Sequence, residues 1–227
     1  MTSKFQRLLA AVSFCLAILS ASKTNAGLID QGATIYDSDV GISWLKNANL
    51  AATIAFGVSD ISASGAMSWD TAQKWIDAMN TGNYLGHNHW RLPITLQPDE
   101  SCSNQNQTAS GGFCTGSEMA HLFYTELGGS AGSSITTTHN PNFGLFAELQ
   151  PFNYWSGTAY APDAYGAWVF GFDAGDQNPS DKLNNMYVWA LRSGQAENSF
   201  AVPIPPTYAL ILGGLIIVGF TTRPMGV

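Results

Sequence analysis

The chain has 227 residues, of which 45% are hydrophobic and 11% are charged, and its formal net charge is −7 at pH 7. This balance argues against a nucleic-acid partner, because phosphate binding needs clusters of lysine and arginine and the whole sequence has nine such residues. The length between the two apolar ends described below fits one domain with a substantial hydrophobic core.

Residues 1–26 have the order of a secretory signal peptide. Lys4 and Arg7 precede an apolar stretch at residues 8–19, and small residues lead up to Ala26. We therefore expect export and cleavage after Ala26, and we leave this segment out of the fold. Sixteen acidic and six basic residues follow Ala26, which gives the exported chain a net charge of −10. Such a charge favours a neutral ligand or a cation.

The first part of the domain predicts a hairpin and then a helix. Residues 28–49 alternate apolar and polar side chains around an acidic turn at 37–39, whereas residues 50–66 have no clear period. The helix that follows has Ser68 as its N-cap and Gly82 at its end. Its buried face is predicted to consist of Trp69, Ala72, Trp75, Ile76 and Met79.

The middle of the domain predicts a disulfide and a second helix. Cys102 and Cys114 remain after the signal peptide is removed, and an even pair in an oxidising compartment indicates a disulfide. Beyond them, Thr115 and Glu118 have the spacing of a capping box, and Gly128 marks the end of the helix. The predicted buried stripe is Met119, Leu122, Phe123 and Leu127.

The last third of the domain predicts three antiparallel strands. Residues 154–160, 167–173 and 185–192 are rich in aromatic side chains and are bounded by Gly, Pro, Asn or Asp. Residues 174–184 are polar and are expected to form a long loop. The order of two strands, two helices and three strands predicts an α+β domain.

Several stretches, taken in chain order, resemble the Lcl C-terminal-type domain, which was long catalogued as a domain of unknown function and occurs in exported bacterial proteins. They are "YDSDVGISWLKNAN", "MSWDTAQKW", "HWRLPITLQPDESC", "CTGSEMAHLFYTELGG" and the segment 152–194. We therefore place the globular domain at residues 27–196. The resemblance implies a C-type-lectin-like or sulfatase-modifying-factor-like fold, with two helices and small antiparallel sheets.

Residues 197–227 resemble a PEP-CTERM sorting signal. Val202, Pro203 and Pro205 form a "VPxP" box, and an apolar segment and Arg223 follow. The resemblance implies an exosortase-type sorting enzyme as a partner, transient membrane insertion, and a final location at the cell surface or in the extracellular matrix of a Gram-negative-type bacterium. The sequence departs from the family in having Pro-Ile-Pro for Pro-Glu-Pro and one arginine for a cluster. A permanent membrane anchor and a last core element are the alternatives.

The motifs predict no enzyme. Ser156 lacks the glycines of a nucleophile elbow, and the two cysteines have the setting of a structural bridge. The histidines occur in short pairs, His87 with His89 and Glu118 with His121, whereas a metal site needs a larger ligand set. No cofactor is predicted apart from calcium, whose candidate ligands Asp173, Asp176 and Asp181 crowd one segment.

Aromatic residues are the most abundant material for a binding site, because aromatic faces with polar neighbours suit sugars. Half or more of them must instead build the core, and Arg91 has an ion pair with an aspartate as its alternative role. The candidate ligand-binding residues are Trp90, Arg91, Trp155, Trp168, Asp173 and Asp176. The sequence thus predicts an exported surface or matrix protein with a lectin-like domain that associates with a polysaccharide. A purely structural surface protein without a small ligand is the alternative.

Overall fold

The computed structural model describes residues 27–105 and 108–194, so the signal peptide and the sorting segment lie outside the described residues. Within that part of the chain, two helices accompany two four-stranded antiparallel sheets, which confirms the α+β prediction. The strands are β1 (Leu28–Asp30), β2 (Thr34–Asp37), β3 (Ile42–Leu45), β4 (Gly111–Gly112), β5 (Asn153–Ala159), β6 (Gly166–Gly171), β7 (Asp176–Asp181) and β8 (Leu191–Ser193). The helices are α1 (Trp69–Thr81) and α2 (Glu118–His121).

The first sheet has the strand order β1-β2-β3-β8. The predicted hairpin is present, since β2 and β3 pair from Thr34 opposite Leu45 to Asp37 opposite Ile42. Gly41 has a φ of 68° in the turn between them, a conformation that glycine adopts without strain. The last strand, β8, pairs with β3, so the two ends of the domain meet in one sheet.

The second sheet has the order β4-β7-β6-β5 and corrects one prediction. Residues 174–184 do not form a loop throughout, because β7 pairs with β6 over six residues. Strand pairing uses backbone groups, so a polar segment can form a strand when most of its side chains, here all but Gln177, are not buried. Pro179 lies beyond the two residues of β7 that pair with β4, where a missing N–H is tolerated.

The aromatic segment 185–192 is a strand only in its last part. Met186 and Tyr187 form isolated bridges to Met67 and Tyr154, and the chain then crosses to the first sheet as β8. Trp189 is buried in this crossing segment, and its indole N–H donates to Leu45 O at 2.7 Å. The aromatic side chains therefore connect the two sheets, which a period-two pattern does not reveal.

Helix α1 forms as predicted from its local signals. The Ser68 side chain accepts a hydrogen bond from Thr71 N, and Gly82 is the C-cap. Its buried residues are Thr71, Ala72, Trp75, Ile76 and Met79. Trp69 is half-buried, and its indole N–H donates to Ser156 O at 2.8 Å. The helix thereby packs its apolar face on the core and attaches its first turn to β5.

Helix α2 differs from the prediction at its start and in its winding. Ser117 is the N-cap, not Thr115, and Glu118 makes no capping box because it pairs with Arg91. The helix continues as a π-helical turn over Leu122–Glu126, with Leu127 N donating to Leu122 O at 2.9 Å. The predicted stripe Met119, Leu122, Phe123 and Leu127 is buried.

The predicted disulfide joins Cys102 and Cys114, and both cysteines are buried. It closes the segment between α1 and α2 next to β4. Over the two described stretches, no helix is both long and apolar enough to span a membrane.

Candidate ligand-binding site

A shallow depression lies at one end of the second sheet, where the turn between β5 and β6 meets the end of β7. Its volume is about 210 Å³. The residues that line it are Tyr160, Asp163, Tyr165, Gly166, Pro179, Ser180 and Asp181. We name it the Tyr165 depression, because the Tyr165 side chain is 78% exposed and stands at its edge.

The turn itself explains why Tyr165 is exposed. Tyr160 N donates to Gly166 O, and Gly166 N donates to Asp163 O, both at 3.0 Å. The Asp163 carboxylate accepts from Tyr165 N at 2.9 Å, as in turns that aspartate stabilises. A Cβ atom at position 166 would come within 3.1 Å of the Tyr160 side chain, so any larger residue would require Tyr160 to shift by a few tenths of an ångström. These bonds use the backbone around Tyr165 and leave its ring in water.

The floor of the depression rests on Trp168. The rings of Tyr160 and Trp168 are 5.4 Å apart and nearly perpendicular, at 82°. Trp168 is completely buried, so it supports Tyr160 and does not face a ligand. Asp181 is exposed and accepts from Leu183 N at 2.8 Å. An exposed aromatic ring with carboxylates beside it suits an uncharged ligand rich in hydroxyl groups.

The other predicted aromatic candidates are structural. Trp155 is completely buried, and its indole N–H donates to Met67 O at 2.8 Å. Trp90 is 2% exposed, and Asn80 of α1 bonds both its backbone N and its backbone O. The structure therefore places Trp90, Trp155 and Trp168 in the interior. The prediction missed this because the alternation of residues along a strand does not reveal which face of the sheet is covered.

Arg91 makes an ion pair, with a glutamate and not with the aspartate considered from the sequence. Its two terminal nitrogens donate to the two carboxylate oxygens of Glu118 at 2.7 and 2.6 Å. Ile94 N also donates to Glu118 at 2.6 Å. Since this bidentate pair occupies the guanidinium group, Arg91 holds α2 against the segment that follows α1.

The three aspartates predicted to bind calcium do not come together. Asp176 and Asp181 stand at opposite ends of β7, about 17 Å apart at the rise of a strand. Asp173 and Asp176 are neighbours. A carboxylate oxygen of each would lie within 2.7 Å of a Cβ atom placed on Gly171, which shows that the two carboxylates are close to each other. Burial raises the pKa of Asp176, and the charge of Asp173 raises it further. Asp173 and Asp176 are a pair, and the ligand set predicted for calcium is incomplete.

Tyr160 and Tyr165 line the depression but were not among the predicted ligand-binding residues, although the sequence analysis identified aromatic side chains as the main material for a binding site. The signal that identifies Tyr165 is its place in "APDAYG", a turn rich in Pro, Asp and Gly between two buried strands. A large aromatic side chain at the tip of such a turn has no core to enter, because residues 161–165 are all exposed.

Comparison with known protein families gives a match over most of the domain. Residues 33–192 match the Lcl C-terminal domain family. Domains of this family are generally extracellular or at the cell surface, and the family is not one of known enzymes. No curated protein and no solved structure matches the chain, so the C-type-lectin-like assignment stays a prediction. The match covers most of the 227 residues, and the chain therefore belongs to the Lcl C-terminal domain family.

Proposed function

We propose that this protein is exported to the cell surface or the extracellular matrix and that its domain binds a neutral polysaccharide at the Tyr165 depression. The exposed Tyr165 ring carries the proposal, because it presents a flat apolar face and a hydroxyl group in a turn that already satisfies its own backbone. Asp163 and Asp181 supply acceptors for sugar hydroxyls. The depression is open, which suits a long chain that lies across the surface.

The charge of the protein selects the class of polysaccharide. In the exported chain, sixteen acidic residues against six basic ones repel a polyanion. The two carboxylates of the depression add to that repulsion locally, whereas hydroxyl groups of a neutral sugar donate hydrogen bonds to them. The proposed ligand is therefore an uncharged polymer of the surrounding matrix.

The proposed location depends on both ends of the chain. Residues 1–26 would direct export, and an exosortase-type enzyme would recognise Val202, Pro203 and Pro205 and release the chain from its transient membrane insertion. The family supports an extracellular setting. Mass spectrometry of the mature protein from its own cells tests this part. A chain that begins at Gly27 and lacks the apolar segment is expected, and intact residues 208–227 would contradict processing.

Affinity electrophoresis through gels that contain neutral polysaccharides tests the binding site. The full chain is expected to be retarded, and Tyr165→Ala is expected to weaken binding about tenfold, or about 1.4 kcal/mol. Tyr165→Phe keeps the ring and should retain most of the binding. The matched control is Phe113→Ala, because Phe113 is also exposed, at 63%, and lies beside β4 near the opposite end of β7. Equal retardation of Tyr165→Ala and the wild type would refute the site.

A purely structural role is the second candidate. The observation that favours it is the interior position of Trp90, Trp155 and Trp168, which leaves few aromatic faces for a ligand. Retention of the protein in the matrix without retardation by any polysaccharide would select this role.

A further inference from the structure

Three side chains that bind metals in other proteins meet where the end of β2 contacts the second helix. His121 Nε2 lies 3.5 Å from Asp37 Oδ2 and 3.5 Å from Glu126 Oε1. The three potential ligand atoms all lie within 4.8 Å of one another. We name this group the Asp37–His121–Glu126 cluster, and none of its members lines the Tyr165 depression.

The π-helical turn makes the cluster. His121 and Glu126 are five residues apart, and in a regular α-helix they would point about 140° apart. The turn over Leu122–Glu126 is closed by the bond from Leu127 N to Leu122 O. This i to i+5 winding places the fifth residue above the first, so both side chains share one face. Such turns are rare and occur frequently at functional sites.

Two buried polar atoms of the cluster lack hydrogen-bond partners. Asp37 is completely buried, and its Oδ1 accepts from Asp39 N at 3.1 Å. Its Oδ2 and His121 Nε2 are also buried but have no hydrogen-bond partner in the structure as described. A separation of 3.5 Å exceeds an ordinary N–H···O hydrogen bond, and buried polar atoms are normally paired. His121 Nε2 and Asp37 Oδ2 therefore face each other at ion-pair distance without a hydrogen bond between them.

Negative charge also collects there. Glu126 is 4% exposed, and Asp39 adds a third carboxylate at the rim. A cation at the centre of the cluster would compensate the buried charge and satisfy both unpaired atoms.

We propose that Asp37, His121 and Glu126 bind one divalent first-row transition-metal ion of the zinc class. Zinc takes histidine nitrogen and carboxylate oxygen at about 2.0–2.2 Å, and two ligands of a tetrahedral ion are then about 3.4 Å apart. The 3.5 Å separations match that spacing. Calcium prefers oxygen ligands alone. The ion would join the first sheet to the second helix.

Metal titration of the full chain, after chelation and dialysis, tests the proposal. Calorimetry is expected to give one zinc ion per chain, and cobalt is expected to give a visible absorption band from a low-coordinate site. His121→Gln and Glu126→Gln should each weaken zinc binding by at least about 100-fold, because they remove direct ligands, whose loss exceeds that of outer-shell partners. His139→Gln is the matched control, since His139 is exposed, stacks on Phe143, contacts Asn140 O through its ring nitrogen and lies outside the cluster.

Circular dichroism of each variant shows that it is folded, and two variants are used because either substitution alone can disturb the buried cluster. Zinc binding that survives in folded His121→Gln and Glu126→Gln would overturn the proposal. The proposal would also be overturned if the folded wild-type chain binds no zinc or binds calcium in place of zinc. A His139→Gln variant that weakens zinc binding as much as His121→Gln does would overturn it too.

Discussion

The ion pair between Arg91 and Glu118 is expected to stabilise the domain more than a surface pair does. Glu118 accepts from both terminal nitrogens of Arg91 and from Ile94 N, at distances of 2.6–2.7 Å. The two charged side chains are 31% and 19% exposed. Glu118→Ala therefore removes three short hydrogen bonds to one carboxylate and leaves a guanidinium group half-buried without its partner.

The structure gives the size of the effect. Hydrogen bonds to charged groups contribute about 1.5–3 kcal/mol each when buried, and partial exposure reduces this towards the value of about 0–1 kcal/mol for surface pairs. We expect Glu118→Ala to lower the free energy of unfolding by about 3 kcal/mol. In a domain of this size, that loss lowers the melting temperature by about 6–12 °C. The coupling energy between Arg91 and Glu118 should be about 1–2 kcal/mol.

Urea denaturation of the wild type, Glu118→Ala, Arg91→Ala and the double variant measures that coupling. The matched control is the ion pair of Lys46 and Asp30, whose N···O distance is 2.8 Å but whose side chains are 36% and 41% exposed. Its coupling energy should stay below about 0.5 kcal/mol. If both pairs give the same small value, the bidentate geometry does not stabilise the domain and the reasoning is wrong.

Three further predictions concern the core and the second sheet. Serine at both Cys102 and Cys114 should lower the free energy of unfolding by about 3 kcal/mol, measured by urea denaturation under oxidising conditions, because the short loop is no longer closed; an unchanged midpoint would contradict this. Trp155→Phe should cost about 1 kcal/mol in the same assay, since Met67 O loses the indole donor but keeps the bond from Met186 N, and a cost near zero would mean that the indole bond does not contribute. Because the pKa of Asp176 is raised in the folded state, the unfolded chain releases that proton at lower pH, and stability falls as pH rises above the ordinary value. Asp176→Asn should therefore gain stability relative to the wild type as the pH rises above about 4, and a difference that does not change with pH would contradict the assignment.

Features encoded in neighbouring residues could be predicted from the sequence. Helix α1 has its cap, its apolar period and its terminal glycine within residues 68–82, and the structure contains all three. The disulfide followed from the number of cysteines and the expected compartment. The strands β5 and β6 followed from their aromatic residues and flanking turns, and their observed ends differ from the prediction by one or two residues.

Features that depend on distant residues could not be predicted in the same way. β7 exists because β6 offers it a partner across six positions, although its own residues are polar. The burial of Trp155 and Trp168 depends on what covers each face of the second sheet, which the alternation of residues does not state. Asp37 meets His121 only through the contact of β2 with the second helix, and the π-helical turn that adds Glu126 has no known local signature in this sequence.

The most direct test of the proposed binding function is saturation-transfer-difference NMR with a neutral oligosaccharide from the matrix of the producing cells. The account predicts that saturation of the protein's aromatic protons reaches the sugar in the wild type and is lost in Tyr165→Ala, while Phe113→Ala retains it. Transfer of equal strength in Tyr165→Ala, or no transfer to any neutral sugar from the folded wild type, would contradict the assignment of the Tyr165 depression as a polysaccharide site.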